Sequence, residues 1–256
     1  MNVVTTRAGV RPRDFVAVSG PDAADFLERM VSNEVASLDL GDSRRALLLT
    51  PKGRVIAPLV VWRRGGDDFL LLTELGLGES VRTQLLRARF AAKCEIQLEE
   101  HISLLVLGDA EGITNEEYGE AAVEVLDAEP RSELLSADEL ERLRIEARTP
   151  RWGYEIDDRV LPAEAGLTET HVSFTKGCYP GQEPIARLHY RGKANRSLRL
   201  LALDGAPEPE TEVLHGDKPV GRITSSVQGL SLAYVRTDVP EDAELTVDGA
   251  RALIRR

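Results

Sequence analysis

Along the first part of the chain, apolar residues recur in two rhythms. Asp14 to Val18 reads as a short strand, and Pro21 then opens a helix whose Ala23, Phe26, Leu27, Met30 and Val31 share one face. Arg44 to Thr50 and Arg54 to Trp62 are strand-like runs joined by Thr50-Pro51-Lys52-Gly53, a good turn sequence. After the polar turn at residues 63–68, Phe69 to Thr73 reads as another strand. Glu79 to Ala91 has helical spacing, and Glu95 to Leu98 and Ile102 to Leu107 return to strand.

The pattern is weaker from residue 108 to 138. Ser136 and Glu139 have capping-box spacing and predict a short helix, followed by a strand-like stretch from Arg144 to Ala147. Beyond Arg196 the runs shorten. Leu198 to Leu203, Val220 to Ile223, Leu230 to Val235 and Glu244 to Val247 alternate with Gly, Pro and Asp turns, the pattern of a small β-barrel or sandwich. The expected class is mixed, α+β, with a larger domain at 1–192 and a small β domain at 193–256.

A chain of 256 residues buries roughly 70 to 75 % of its unfolded surface, so neither a disulfide nor a metal is needed to stabilise it. Its N-terminal residues lack an apolar core of signal-peptide length, and no apolar run approaches a membrane span. Cys94 and Cys178 are far apart and form no metal-ligand spacing. These features predict a cytoplasmic protein with no membrane partner and no protein-bound metal. Neither Cys-x-x-Cys, His-Glu-x-x-His, a P-loop nor a Gly-x-Ser-x-Gly elbow is present.

Charge adds a contrast. The formal net charge of −11 argues against direct nucleic-acid binding. From Asp109 to Glu141 there are 12 acidic residues and one basic, whereas from His171 to Arg199 six basic residues face one acidic, Glu183. A basic island in an acidic chain suggests an anionic ligand.

Within that island, residues 176–183 read Lys-Gly-Cys-Tyr-Pro-Gly-Gln-Glu. Gly177 and Gly181 permit backbone angles closed to other residues, and Tyr179-Pro180-Gly181 favours a turn, so Cys178 is expected on a loop. Lys176 is expected to favour its thiolate if the two side chains converge. The alternative is a thiol packed as a small hydrophobe.

The longer segment VSFTKGCYPGQEPIARLHYRGKANR resembles the signature of YgfZ-type folate-binding proteins, relatives of the glycine-cleavage T protein that support iron-sulfur enzymes. Lys176, Gly177, Cys178, Tyr179, Gly181, Gln182, Glu183, Ala186, Arg187, Arg191 and Gly192 carry the match. Residues 19–55, LRIEARTPRWGYEIDD and the C-terminal PVGRITSSV with LSLAYV are similar to further blocks of the superfamily, in its order.

That resemblance implies a T-protein-like folate-binding domain followed by a C-terminal β-barrel, with tetrahydrofolate or a related reduced folate as cofactor and iron-sulfur client or assembly proteins as partners. It implies Cys178 and Lys176 as the reactive pair, and Glu146 as the carboxylate that pairs with the amino-pterin edge. Arg187 and Arg191, in the basic island, are expected to receive the folate's glutamate tail. In the T protein the strand matching residues 53–62 carries an acidic pair that assists aminomethyl transfer; here those positions read Ala57 and Pro58. Neither accepts a proton, and general acid-base help contributes about 10² to 10⁴-fold, so a glycine-cleavage-type aminomethyltransferase is the second reading. A folate-independent adaptor for a tRNA-modifying iron-sulfur enzyme is the third. Arg148 stands where the family has glycine, and there it either crowds the pocket or pairs with Glu146.

Overall fold

The computed structural model describes residues 7–108, 110–130 and 134–255; four residues of the acidic run, Asp109, Arg131, Ser132 and Glu133, lie outside them. β1 (Arg7–Val10) and β2 (Arg13–Ser19) lead into α1 (Ala23–Met30). The hairpin β3 (Ser43–Leu49) and β4 (Val55–Gly65) follows, then β5 (Asp68–Glu74), α2 (Gly78–Ala88) and β6 (Glu95–Glu99). An antiparallel sheet takes the order β3-β4-β5-β2-β6. These strands read as near-continuous apolar runs because successive side chains point to opposite faces and both faces are buried. Ala46, Leu48, Ala57, Leu59, Val61, Phe69 and Leu71 pack under α1 and α2. The opposite face bears Phe15, Ala17, Val60, Leu70 and Leu72.

β7 (Ser103–Leu107) is the strand expected at 102–107, β8 (Ile113–Asn115) and β9 (Ala122–Leu126) fill the stretch where the sequence pattern was weakest, and with β1 the three make a second sheet, β1-β7-β9-β8. Ile113 joins the cluster on the second face of the first sheet. Ser136 caps α3 (Ala137–Glu146) with a complete capping box. The expected strand at Arg144 to Ala147 is instead the end of that helix. Ile145 is fully buried against Leu200 and Leu232 of the C-terminal domain, and one helical face supplies that contact while Arg142 and Glu146 stay solvated.

Two short helices, α4 (Thr168–His171) and α5 (Gln182–Arg191), flank the signature loop. The remaining strands are β10 (Arg196–Leu203), β11 (Glu212–His215), β12 (Lys218–Val227), β13 (Leu230–Arg236), β14 (Glu244–Val247) and β15 (Ala250–Arg255). They close into a barrel in the order β10-β13-β12-β11-β14-β15, around Leu201, Val213, Ile223, Ala233, Leu245 and Ala252. Among the described residues no helix is long and apolar enough to cross a membrane.

Candidate functional site

A cavity of about 400 Å³ opens between the first sheet, the loop after β8, the end of α3 and the segment leading into α4. Its sheet side carries Arg13, Arg45, Pro58, Val60 and Glu74, which share the strand phase of Phe15, Leu47, Val60 and Leu72. Ala57 lies in the other phase, sealed under the helices. Of Ala57 and Pro58, only Pro58 therefore reaches the cavity.

Beside this surface the charges pair tightly. Arg11 grips both oxygens of Glu74, at 2.6 and 3.2 Å, and reaches Glu117 at 3.1 Å. Arg13 bonds Glu117 at 2.8 Å and Glu124 at 2.6 Å, and Glu124 also accepts from Ser103 and Asn115. Burial alone would raise the Glu117 carboxyl, but the guanidiniums of Arg13 and Arg11 hold it well below the usual carboxylate range. Burial alone would likewise lower the Arg13 guanidinium, and the same carboxylates keep it charged. Glu116 differs: it meets Arg45 at 2.5 Å but its side chain is 60 % exposed. On the far wall, burial and then the nearby Arg45 lower the His171 imidazole to about 3, so it is neutral at pH 7; its Nδ1 lies 2.8 Å from the Thr170 hydroxyl.

These participants were missed by motif reading. Glu117 and Glu124 lie within the acidic run, which looks like a solvated face. A usable signal existed on the strands: Arg13, Arg45 and Glu74 occupy inward phases of otherwise apolar runs, where a charge needs a partner.

The signature loop rests on the β3–β4 turn. Gly53 (φ +72°) and Gly181 (φ +83°) bring their backbones together; a Cβ on Gly181 would lie 2.5 Å from the Thr50 carbonyl oxygen. Two glycines far apart in sequence are thus required by one close approach. Cys178 is exposed, while Tyr179 turns into the core beside Leu47, Leu49 and Ile185. The Tyr179 hydroxyl has no hydrogen-bond partner among the described residues, and burial pushes it up to about 12. Gly181 then caps α5 in the left-handed conformation, with half-buried Gln182 and exposed Glu183 in the first turn.

Lys176 takes a different place from that expected. Its ammonium donates to the backbone oxygens of Val31 at 2.9 Å and Asn33 at 2.6 Å, and meets Glu28 at 3.2 Å. Three acceptors match its three N–H groups, so it anchors the loop to the end of α1 instead of serving the thiol. Burial lowers its pKa while Glu28 pulls the other way. Gly177 is exposed, with open space around it.

Glu146 lies outside the cavity wall. It sits on the exposed face of α3, paired to Arg142 at 3.2 Å. Helical rather than extended backbone turns it away, because Ile145 takes the buried position. Arg148 does line the cavity; its φ of +58° is the left-handed backbone that favours glycine. Its guanidinium donates to the Arg255 carbonyl at 3.0 Å and does not pair with Glu146. Arg187 and Arg191 are exposed on α5 and line neither this cavity nor the one beneath that helix.

This arrangement of two sheets, a closing barrel and a central cavity is the T-protein fold. Residues 12–108 match the GCVT N-terminal domain and residues 195–256 the CAF17 C-terminal beta-barrel domain. The aminomethyltransferase T structure from Bartonella henselae superposes with a TM-score of 0.85 at 19 % identity, covering 97 % of this chain and 84 % of that one. Among curated relatives, an iron-sulfur cluster assembly factor IBA57 homolog of Pyricularia oryzae is 23 % identical, covering 95 % of this chain and 75 % of its own. An aminomethyltransferase of Moorella thermoacetica is 26 % identical over 86 % of this chain and 75 % of its own. The two domain matches and these relatives place the chain in the GCV-T superfamily, with a CAF17-type C-terminal barrel.

Proposed function

We propose that the protein is a folate-binding accessory factor for iron-sulfur proteins that carries out no aminomethyl transfer. One observation carries the reading: the cavity persists with apolar and charged walls, yet Pro58 stands where the T protein places its carboxylate. The wall chemistry suits a reduced folate. Pro58, Val60 and Leu167 offer apolar surface to a pterin ring, and the open carboxylate of Glu116 suits its amino edge as an acceptor. Arg148 suits the anionic tail at the rim. When bound, a reduced folate supplies a one-carbon carrier. The chain's own residues bind and orient it, and none on the Ala57–Pro58 segment accepts a proton.

The iron-sulfur part of the proposal draws support from the IBA57 homolog and the CAF17-type barrel. It draws support too from the loop, which lifts Cys178 into solvent while Lys176 and Tyr179 hold its flanks. The loop rests on the turn between β3 and β4, and β4 lines the cavity, so cavity and thiol share one rigid support.

Calorimetric titration with tetrahydrofolate tests the first half. Binding is expected, weakened in Glu116→Gln by about 1.5 to 3 kcal/mol, the worth of a hydrogen bond to a charged group; no heat of binding in the wild type removes folate from the reading. Cys178→Ser tests the second half. It is expected to bind folate and melt as the wild type does but to lose rescue of iron-sulfur enzyme activity in cells lacking the protein; full rescue makes the thiol dispensable. A folate-independent adaptor is the second reading, favoured by the ion pairs that already occupy Glu74 and Glu117.

A further inference from the structure

The outer face of α5 is the counterpart of the buried network. Arg187, Tyr190 and Arg191 lie at i, i+3 and i+4 and so share one side of the helix. All three are exposed, Tyr190 by 68 %. Neither guanidinium has a partner among the described residues, whereas Arg196 and Arg199, in the same basic island, are paired with Glu164 and Glu241. In a chain of net charge −11, this is a face where a carboxylate-bearing partner meets attraction rather than repulsion.

Beneath the same helix lies a second cavity, of about 430 Å³. Leu161, Pro162, Ile185 and Leu188 give it aliphatic walls, and Lys193 and Glu169 also line it. The ring of His189 stacks on Phe174 at 4.0 Å and holds the helix against the signature segment. An apolar hole beside unpaired cations and an exposed tyrosine has the make-up of a protein-binding hot spot: an anchor pocket with a charged surround.

We propose that the α5 face and this cavity form the docking site for a polypeptide partner, which seats an apolar side chain in the cavity and acidic residues against Arg187, Arg191 and Lys193. The inference rests on the reading of Cys178 as the residue offered to an iron-sulfur partner. α5 begins four residues after that thiol, so a chain bound along the helix is brought to it. A nucleic acid is the poorer occupant: net charge −11 opposes a polyphosphate backbone, and the walls of Leu161, Pro162, Ile185 and Leu188 suit an aliphatic side chain.

Selection of a random peptide library on the intact protein, counter-selected on R187E/R191E, reads the proposal directly. Enriched peptides are expected to join Asp or Glu to a large apolar residue. In fluorescence anisotropy such a peptide is expected to lose at least about tenfold in affinity on R187E/R191E, and as much again when its apolar anchor is replaced by serine. Ala194→Phe, which crowds the cavity, is expected to act like loss of the anchor. Equal binding to R187E/R191E, enrichment without acidic residues, or tighter binding of an RNA oligonucleotide at the same salt overturns the proposal. Tetrahydrofolate titration of the same variant keeps the two readings apart. Lost peptide binding with unchanged folate affinity supports docking at α5, and a wild type that takes the peptide but no folate sinks only the folate reading.

Discussion

The charges beside the large cavity and those on α5 are the same kinds of side chain put to opposite uses. Arg11 and Arg13 lie buried among Glu74, Glu117 and Glu124, with short bonds and hardly any exposed area. Arg187 and Arg191 stand in solvent with no partner among the described residues. Buried charges repay their desolvation only when every partner is in place, so the first group belongs to the fold. Exposed, unpaired charges cost little to keep and remain available, so the second group is free to recognise something else. The difference separates residues that shape the cavity from residues that meet a partner.

The sharpest way to break this comparison is at Glu124. Glu124→Gln leaves Arg13 buried with part of its charge unmatched, and stability in urea is expected to fall by about 3 to 5 kcal/mol, the cost of breaking a buried pair. A loss below about 1 kcal/mol would mean that the network behaves like a surface bridge.

His171 offers a pH test of the same wall. Its folded pKa of about 3 lies below its unfolded value near 6.5. Between those limits the unfolded chain binds the extra proton, so stability falls as pH drops from 6.5 towards 3, by up to about 1.4 kcal/mol per pH unit. His171→Gln is expected to flatten that slope between pH 6.5 and 5.5. An unchanged slope would place the responsible proton elsewhere.

A smaller effect is expected at Tyr179. Its hydroxyl is buried without a partner among the described residues, which costs about 1 to 3 kcal/mol against a satisfied group. Tyr179→Phe keeps the ring packing and is expected to raise stability by roughly 1 kcal/mol in denaturant unfolding; a clear loss would reveal a bond that the hydroxyl does make. The least effect belongs to the exposed helix. Arg187→Gln with Arg191→Gln is expected to shift stability by no more than about 0.5 kcal/mol, and a larger drop would return these arginines to the structural class.

Much of the frame was legible in sequence order. The strands of the first sheet, the Thr50–Gly53 turn, α1 and its apolar face, the capping box at Ser136 and four of the six barrel strands follow from local spacing, whereas β11 and β15 were not read from it. The signature loop was legible as well, because glycines and a proline around a cysteine restrict the backbone before any tertiary contact forms. Exposure of Cys178 is a local consequence of that kind.

Tertiary structure decided the rest. Arg144 to Ala147 has strand-like composition, yet it ends a helix because Ile145 must meet Leu200 and Leu232 of the barrel strands β10 and β13, and that turn of helix carries Glu146 into solvent. Lys176 reads as a neighbour of the thiol, but the end of α1 offers it two carbonyl oxygens and a carboxylate. Arg13 and Glu124, more than a hundred residues apart, meet only once two sheets are stacked. Spacing along one element records which side a residue faces, because helix and strand periods are local. It does not record which distant charge waits on that side; the packing of whole elements settles that, since a charge leaves water only where its partner has arrived too.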